Sequence, residues 1–152
     1  MKFVVVTGMS GAGKRTAMKM LEDVGFYCVD NLPAALISTF VELITLPKSE
    51  ITKVALGLDV RSDKSFQEIN KTLVSMKESG LAYEVLFMDA SDEILIKRYK
   101  ESRRMHPIEG VSIEESIRFE REILKEIRKQ SDYVIDTSSL LTRELQEELD
   151  RI

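Results

Sequence analysis

The chain has 152 residues, 43% of them hydrophobic and 32% charged, with a net charge of −4. That is ordinary globular usage, long enough for one domain with a real core, and it excludes both a disordered chain and an overall basic field for nucleic acid. The single cysteine, Cys28, excludes an internal disulfide, and no apolar run reaches the length of a membrane span.

Met1-Lys2-Phe3 leads straight into a strand pattern with no cleavage site, so no signal peptide is expected and a cytoplasmic location is. Phe3-Val4-Val5-Val6-Thr7 is a β-branched run suited to a strand buried on both faces. Gly8-Met9-Ser10-Gly11-Ala12-Gly13-Lys14 follows, then a helix with Ala17, Met20 and Leu21 at apolar spacing. Gly8, Gly13 and Lys14 match the phosphate-loop (Walker A) pattern G-x-x-x-x-G-K-[ST]. Glycines let backbone N–H groups turn inward as an anion nest, the helix start adds its positive end, and Lys14 reaches the terminal phosphates. The eighth place holds Arg15 where the pattern wants a hydroxyl for Mg²⁺; Thr16 follows, turned by about a third of a helical turn.

The first helix stops at Gly25. Phe26 to Val29 is a second strand, its thiol at Cys28 expected to be buried. Asp30 or Asn31 is placed to cap a helix from Pro33 to Leu46, with Leu36, Ile37, Phe40, Leu43 and Ile44 on one face. Val54 to Leu58 is a third strand and Ser65 to Ser79 a helix. Tyr83 to Met88 is a fourth strand, and a helix from Ser91 has Ile94, Leu95, Ile96 and Tyr99 inward and Lys97, Arg98 and Lys100 outward. A loop around Gly110 precedes a capping-box start at Ser112 and a helix to Gln130; Tyr133 to Asp136 is a fifth strand, and a last helix runs from Thr142. Strand and helix alternate throughout, which predicts a three-layer α/β/α phosphate-loop fold with a mostly parallel five-stranded sheet.

Ligands in such a sheet sit at the carboxyl ends of the strands. Asp59 follows an apolar strand as a Walker B acid does, suited to holding Mg²⁺ through water, and Arg61 beside it offers a phosphate contact. Asp30 serves equally as a phosphate-end acid or as a helix cap, Asp89 reads as a helix-start residue, and Asp136-Thr137-Ser138 reads as a turn or the edge of a base pocket. Arg98, Arg103 and Arg104 lie before a loop where arginines close over phosphates in many phosphoryl-transfer proteins, although a solvated helix face accounts for each alone. His106 has no Cys or His companions at ligand spacing, and no nucleophile-elbow order occurs.

The glycine loop, Leu21 to Pro33 (Leu-Glu-Asp-Val-Gly-Phe-Tyr-Cys-Val-Asp-Asn-Leu-Pro), Asp59-Val60-Arg61-Ser62, Phe87 to Glu93, Arg98 to Pro107 and Asp136-Thr137-Ser138 together resemble the RapZ/YvcJ family of bacterial RNase adapter, nucleotide-binding proteins. The resemblance implies an N-terminal phosphate-loop domain of kinase-like fold that binds and slowly hydrolyses ATP and GTP, over residues 1–152. It implies nucleotide contacts at Gly8, Met9, Ser10, Gly11, Ala12, Gly13, Lys14, Arg15 and Thr16, and at Asp59, Val60, Arg61 and Ser62. Lys14 and Asp59 are the expected catalytic residues, and Thr16 and Asp59 the expected ligands of a weakly held Mg²⁺. Contact with RNA or an RNase is expected only through the family's C-terminal domain, which this sequence does not include. The family has Ser or Thr where Arg15 stands, so slow hydrolysis is expected. A phosphate-loop small-molecule kinase and a catalytically silent nucleotide-binding module are the other readings, and the sequence has no signature of a particular oligomeric state.

Overall fold

A computed structural model describes residues 1–59, 63–102, 112–138 and 142–152. Val60, Arg61, Ser62, Arg103, Arg104, His106 and the loop around Gly110 lie outside the described residues. The elements run β1 (Lys2–Gly8), α1 (Lys14–Asp23), β2 (Tyr27–Val29), α2 (Ala34–Ile44), β3 (Lys53–Gly57), α3 (Asp63–Glu78), β4 (Glu84–Asp89), α4 (Asp92–Ser102), α5 (Ile113–Gln130), β5 (Tyr133–Asp136) and α6 (Thr142–Asp150).

The five strands form one sheet in the order β2-β3-β1-β4-β5, every neighbouring pair parallel. A parallel neighbour needs a crossover, and right-handed crossovers put α1 and α6 together on one face and α2, α3 and α5 on the other, with α4 packed on α5. β1 is central, and Phe3 to Thr7 are all buried, as the β-branched run requires of a strand covered on both sides.

Register decides what meets at the carboxyl edge. Val6 pairs with Gly57 and Val29 with Leu56. Asp59 therefore lies level with Gly8, and Asp30 lies beside Gly57. A Cβ on Gly57 would stand 2.4 Å from the Asp30 carboxylate, so that glycine makes the space into which the acid folds. Gly8 is as confined, since its Cβ would fall 2.1 Å from the Met88 carbonyl oxygen on β4.

Two expectations are corrected. Ile37 and Ile44 of α2 are buried, but Leu36 and Leu43 are 50% and 60% exposed, because α2 packs chiefly on α3 and buries only a narrow stripe. Asp30 and Asn31 do not cap α2; the cap position is Pro33, and no side chain bonds to the helix start. The Ser112 cap of α5 is present, its hydroxyl accepting from the Glu115 N–H at 3.2 Å. Cys28 is half-buried, donates to the Met18 carbonyl at 3.3 Å, and burial pushes its thiol up to about 11.

Asp89 does more than start a helix. It is buried, and its carboxylate accepts from Arg121 Nη1 at 3.0 Å and Arg128 Nε at 3.1 Å, both on α5, as well as from the Ala90 N–H at 2.8 Å. Arg121 also donates to the Ala90 carbonyl and to Asp92, each at 2.6 Å. These bonds fix α5 to the carboxyl end of β4. Asp89→Ala is expected to lower the unfolding free energy by about 2–3 kcal/mol, from charged hydrogen bonds lost at a buried acceptor, read as a lower denaturant midpoint with an unchanged slope.

Candidate functional site

The loop from Gly8 to Lys14 joins β1 to α1, and its shape follows from where its backbone groups are held. The Met9 N–H bonds to the Met88 carbonyl at 3.0 Å, and the Ala12 N–H bonds back to the Met9 carbonyl at 3.0 Å. Two carbonyls are tied from outside. Arg98 Nη1 donates to the Gly11 oxygen at 2.9 Å, and the Thr137 hydroxyl donates to the Ala12 oxygen at 2.8 Å. Arg98 is itself fixed on Thr137, through the hydroxyl at 3.1 Å and the carbonyl at 3.0 Å. The same two peptide planes carry the Ala12 N–H, which is held on the Met9 carbonyl, and the Gly13 N–H, each directed opposite to its braced carbonyl.

Gly13 is the cap residue of α1 with φ 97°, a left-handed conformation open to glycine, and no side chain caps the helix. Among the described residues, the N–H groups of Gly13, Lys14, Arg15 and Thr16 have no protein acceptor. A helix start of this kind, presented by a glycine loop, favours an anion.

Lys14 lies on the first turn and is 14% exposed. Its ammonium pairs with Asp59 and, at 3.2 Å, with Asp30. Asp30 also accepts from the Asn31 N–H at 2.9 Å, so its carboxylate is turned toward the loop and away from α2. The structure thus brings together Lys14, Asp59 and Asp30 from three segments. Arg15 and Thr16 are both exposed on the outer part of the first turn. Arg15 has no lone pair to offer a cation, so the position expected to supply a metal ligand supplies none. Among the described residues, no group of three or more acidic, His or Cys side chains could hold a metal by itself. Asp59 is the carboxylate that this end of the sheet could offer a cation, and Thr16, the nearest hydroxyl in sequence, is exposed.

Two residues named from the sequence have a different place in this site, and a third was not expected. Arg98 is half-buried and braces the loop, which corrects the outward placement given to it above. Thr137 is buried and holds the loop, where a turn or base-pocket edge was expected. Glu120 of α5 is 4% exposed, and its two carboxylate oxygens accept from the Ser10 N–H and the Ser10 hydroxyl, each at 2.7 Å. Burial pushes the Glu120 carboxyl above its ordinary value; Ser10's two bonds pull it partly back, the Asp59 charge raises it and Arg121 lowers it. A sequence signal for Glu120 existed, since it occupies the buried phase of α5 with Ile117, Ile123, Leu124 and Ile127. An acid in an apolar stripe needs a partner. Arg61, Ser62 and Val60, expected beside Asp59, lie outside the described residues.

The family model for the RapZ-like N-terminal domain matches residues 1–152. The chain belongs to that family. Relatives of the family named "Nucleotide-binding protein" include one from Lachnoclostridium phytofermentans, 52% identical over 153 residues, covering 100% of this chain and 54% of the relative. Another, from Acetivibrio thermocellus, is 52% identical over 151 residues, covering 98% of this chain and 52% of that protein. The chain spans about half the length of the curated relatives it matches. Among solved structures, shikimate kinase from Acinetobacter baumannii in complex with shikimate superposes with a TM-score of 0.62 at 15% identity, covering 99% of this chain and 92% of that one. A gluconokinase from Sinorhizobium meliloti 1021 superposes with a TM-score of 0.58 at 17% identity, over 99% and 92% of the two chains. At such identities the likeness is one of fold, and the α/β fold with its parallel sheet is that of these kinases.

Two outcomes follow from the bracing and from Glu120. Thr137→Val keeps the shape but removes the donor to the Ala12 carbonyl; amide exchange at Ala12, whose N–H is held on the Met9 carbonyl, should quicken while strands β1 and β4 stay protected. Glu120 binds its proton more tightly folded than unfolded, so its contribution to stability is full below its unfolded value and is lost as pH rises through its higher folded one. Glu120→Gln should therefore flatten the stability profile above the ordinary glutamate range, measured by denaturant melts across pH.

Proposed function

We propose that this domain binds a nucleoside triphosphate, ATP or GTP, with its phosphates on the Gly8–Thr16 segment, and hydrolyses it slowly. The observation that supports this is Lys14, held between Asp30 and Asp59 above a helix start that no side chain caps. A lysine between two acids is positioned by them and exchanges one partner for a phosphate when an anion enters. The loop N–H groups then hold the inner phosphates, and Lys14 the outer ones. The relatives named for nucleotide binding agree with this reading.

Asp59 and Thr16 would hold a Mg²⁺, which neutralises charge that develops on the phosphates as a bond to phosphorus breaks. Arg15 leaves that cation with a poorer ligand set than a hydroxyl at the same place would. Binding is then little affected and turnover suffers. Val60, Arg61 and Ser62 complete the contact region in this proposal. The role of an RNase adapter, with any RNA or RNase partner, we assign to the half of the relatives' length that this chain does not span. A cytoplasmic setting, where such nucleotides are abundant, goes with the reading; among the described residues no helix is long and apolar enough to cross a membrane.

A hollow of about 470 Å³ beside Asp59, lined also by Asn31, Pro33, Ser65 and Glu68, favours a second reading. A small phosphoryl acceptor seated there would make the domain a kinase, with Asp59 facing its hydroxyl. Transfer of label from the terminal phosphate to an added polyhydroxy compound would decide for it.

Lys14→Ala should lose roughly tenfold to a hundredfold in ATP and GTP affinity while the fold survives, from one charge-assisted contact of about 1.5–3 kcal/mol. Arg15→Ser should raise Mg²⁺-dependent phosphate release above that of the unmutated chain. Unchanged affinity in folded Lys14→Ala would remove the phosphate-loop reading; equal turnover with and without Arg15 would place the metal on other residues.

A further inference from the structure

Asp30 follows β2 as an acid for which the fold makes room. A Cβ on Gly57 would stand 2.4 Å from its Oδ1 atom, so the carboxylate can lie there only beside a glycine. The chain then turns through Asn31, whose φ of 59° is the one left-handed value at a residue other than glycine among the described residues. The Asn31 N–H bonds to the same Oδ1 at 2.9 Å, and Lys14 Nζ meets it at 3.2 Å. Asp30 caps no helix, since the cap position of α2 is Pro33 and carries no side-chain bond. Among the described residues Lys14 is its one cationic partner, whereas Asp59 interacts beyond Lys14.

Sharing one ammonium fixes how near a bound anion must come. A phosphate oxygen on Lys14 and the Asp30 oxygen, each about 3 Å from the same tetrahedral nitrogen, stand about 5 Å apart. If Lys14 turns wholly to the phosphate instead, Asp30 loses its cation and keeps only the Asn31 N–H. In both arrangements the anion meets the charge of Asp30, and the cost grows with the charge on the anion.

We propose that Asp30 biases this site toward a nucleoside triphosphate that carries a divalent cation, against the same nucleotide without one. The inference rests on the nucleotide reading given above. A divalent cation cancels about half of the charge of a triphosphate, and with it about half of the repulsion from Asp30. The discrimination is one of ligand charge and needs no protein ligand to the cation. The Asp30 side chain is 34% exposed, so solvent screens part of the repulsion and the bias is moderate.

The test is titration calorimetry of this chain with ATP at fixed pH and ionic strength, in EDTA and in excess Mg²⁺. Asp30→Asn keeps the shape of the side chain and an oxygen for the Asn31 N–H. It should tighten metal-free ATP by about tenfold and Mg²⁺-ATP by about threefold, since half the charge carries half the free energy. In the unmutated chain the Asn31 amide resonance reports on the Asp30 carboxylate. It should move on saturation with metal-free ATP and move less with Mg²⁺-ATP, a readout that holds if the variant fails to fold. Weaker binding of either form by the variant, an equal gain for both forms, or an Asn31 resonance that does not distinguish them would overturn the role of Asp30 and leave the nucleotide site intact. No binding of either form to the unmutated chain would overturn the nucleotide reading, and this inference with it.

Discussion

Two carbonyl oxygens of the phosphate loop, those of Gly11 and Ala12, are held from outside the loop by Arg98 and Thr137. Peptide planes are rigid, so a carbonyl drawn to one side sends the next N–H to the other. The directions of the Ala12 and Gly13 N–H groups, just before α1, are set by that bracing. Without it the loop would be a glycine-rich turn with many conformations, and an anion would have to bear the entropy of ordering it. With it, most of that ordering is done by folding, and an anion bound there would not have to supply it.

The sheet supplies the second half of the arrangement. β1 lies between β3 and β4, and parallel register sets the ends of β2 and β3 level with the loop. Asp30 and Asp59 are 29 residues apart in sequence and meet on one ammonium only because of that register. Gly57 makes the meeting sterically possible. α5 then ties the other side, with Asp89 holding its arginines and Glu120 reaching Ser10. One helix therefore senses both the end of β4 and the mouth of the loop. A change of contact at Ser10 acts on an element that is fixed elsewhere by charged bonds.

Much of the fold was legible from local pattern. The β-branched run at Phe3 to Thr7, the alternation of strand and helix, and the Ser112 cap are each signals with a short-range cause, and each element stands within a residue or two of its expected bounds. The errors came where a segment's surroundings decide its burial. Leu36 and Leu43 have the spacing of a buried face, but α2 packs chiefly on α3 and leaves them exposed. Arg98 has the composition of a solvated helix face, but its neighbour in space is the loop carbonyl of Gly11.

The sequence by itself determined the glycine loop between β1 and α1, because its parts are contiguous and glycine has few substitutes at a left-handed position such as Gly13. It also determined the parallel α/β class and the family, through motifs that run along the chain. Tertiary structure alone decided which acids face Lys14, that Thr137 and Arg98 brace the loop, and that a glutamate more than a hundred residues from Ser10 is bonded to it. The reason is physical. Contiguous chemistry is written in backbone preferences that act over a few residues, whereas the partners of a charge are set by the register of strands and the packing of helices. Those depend on the whole core at once.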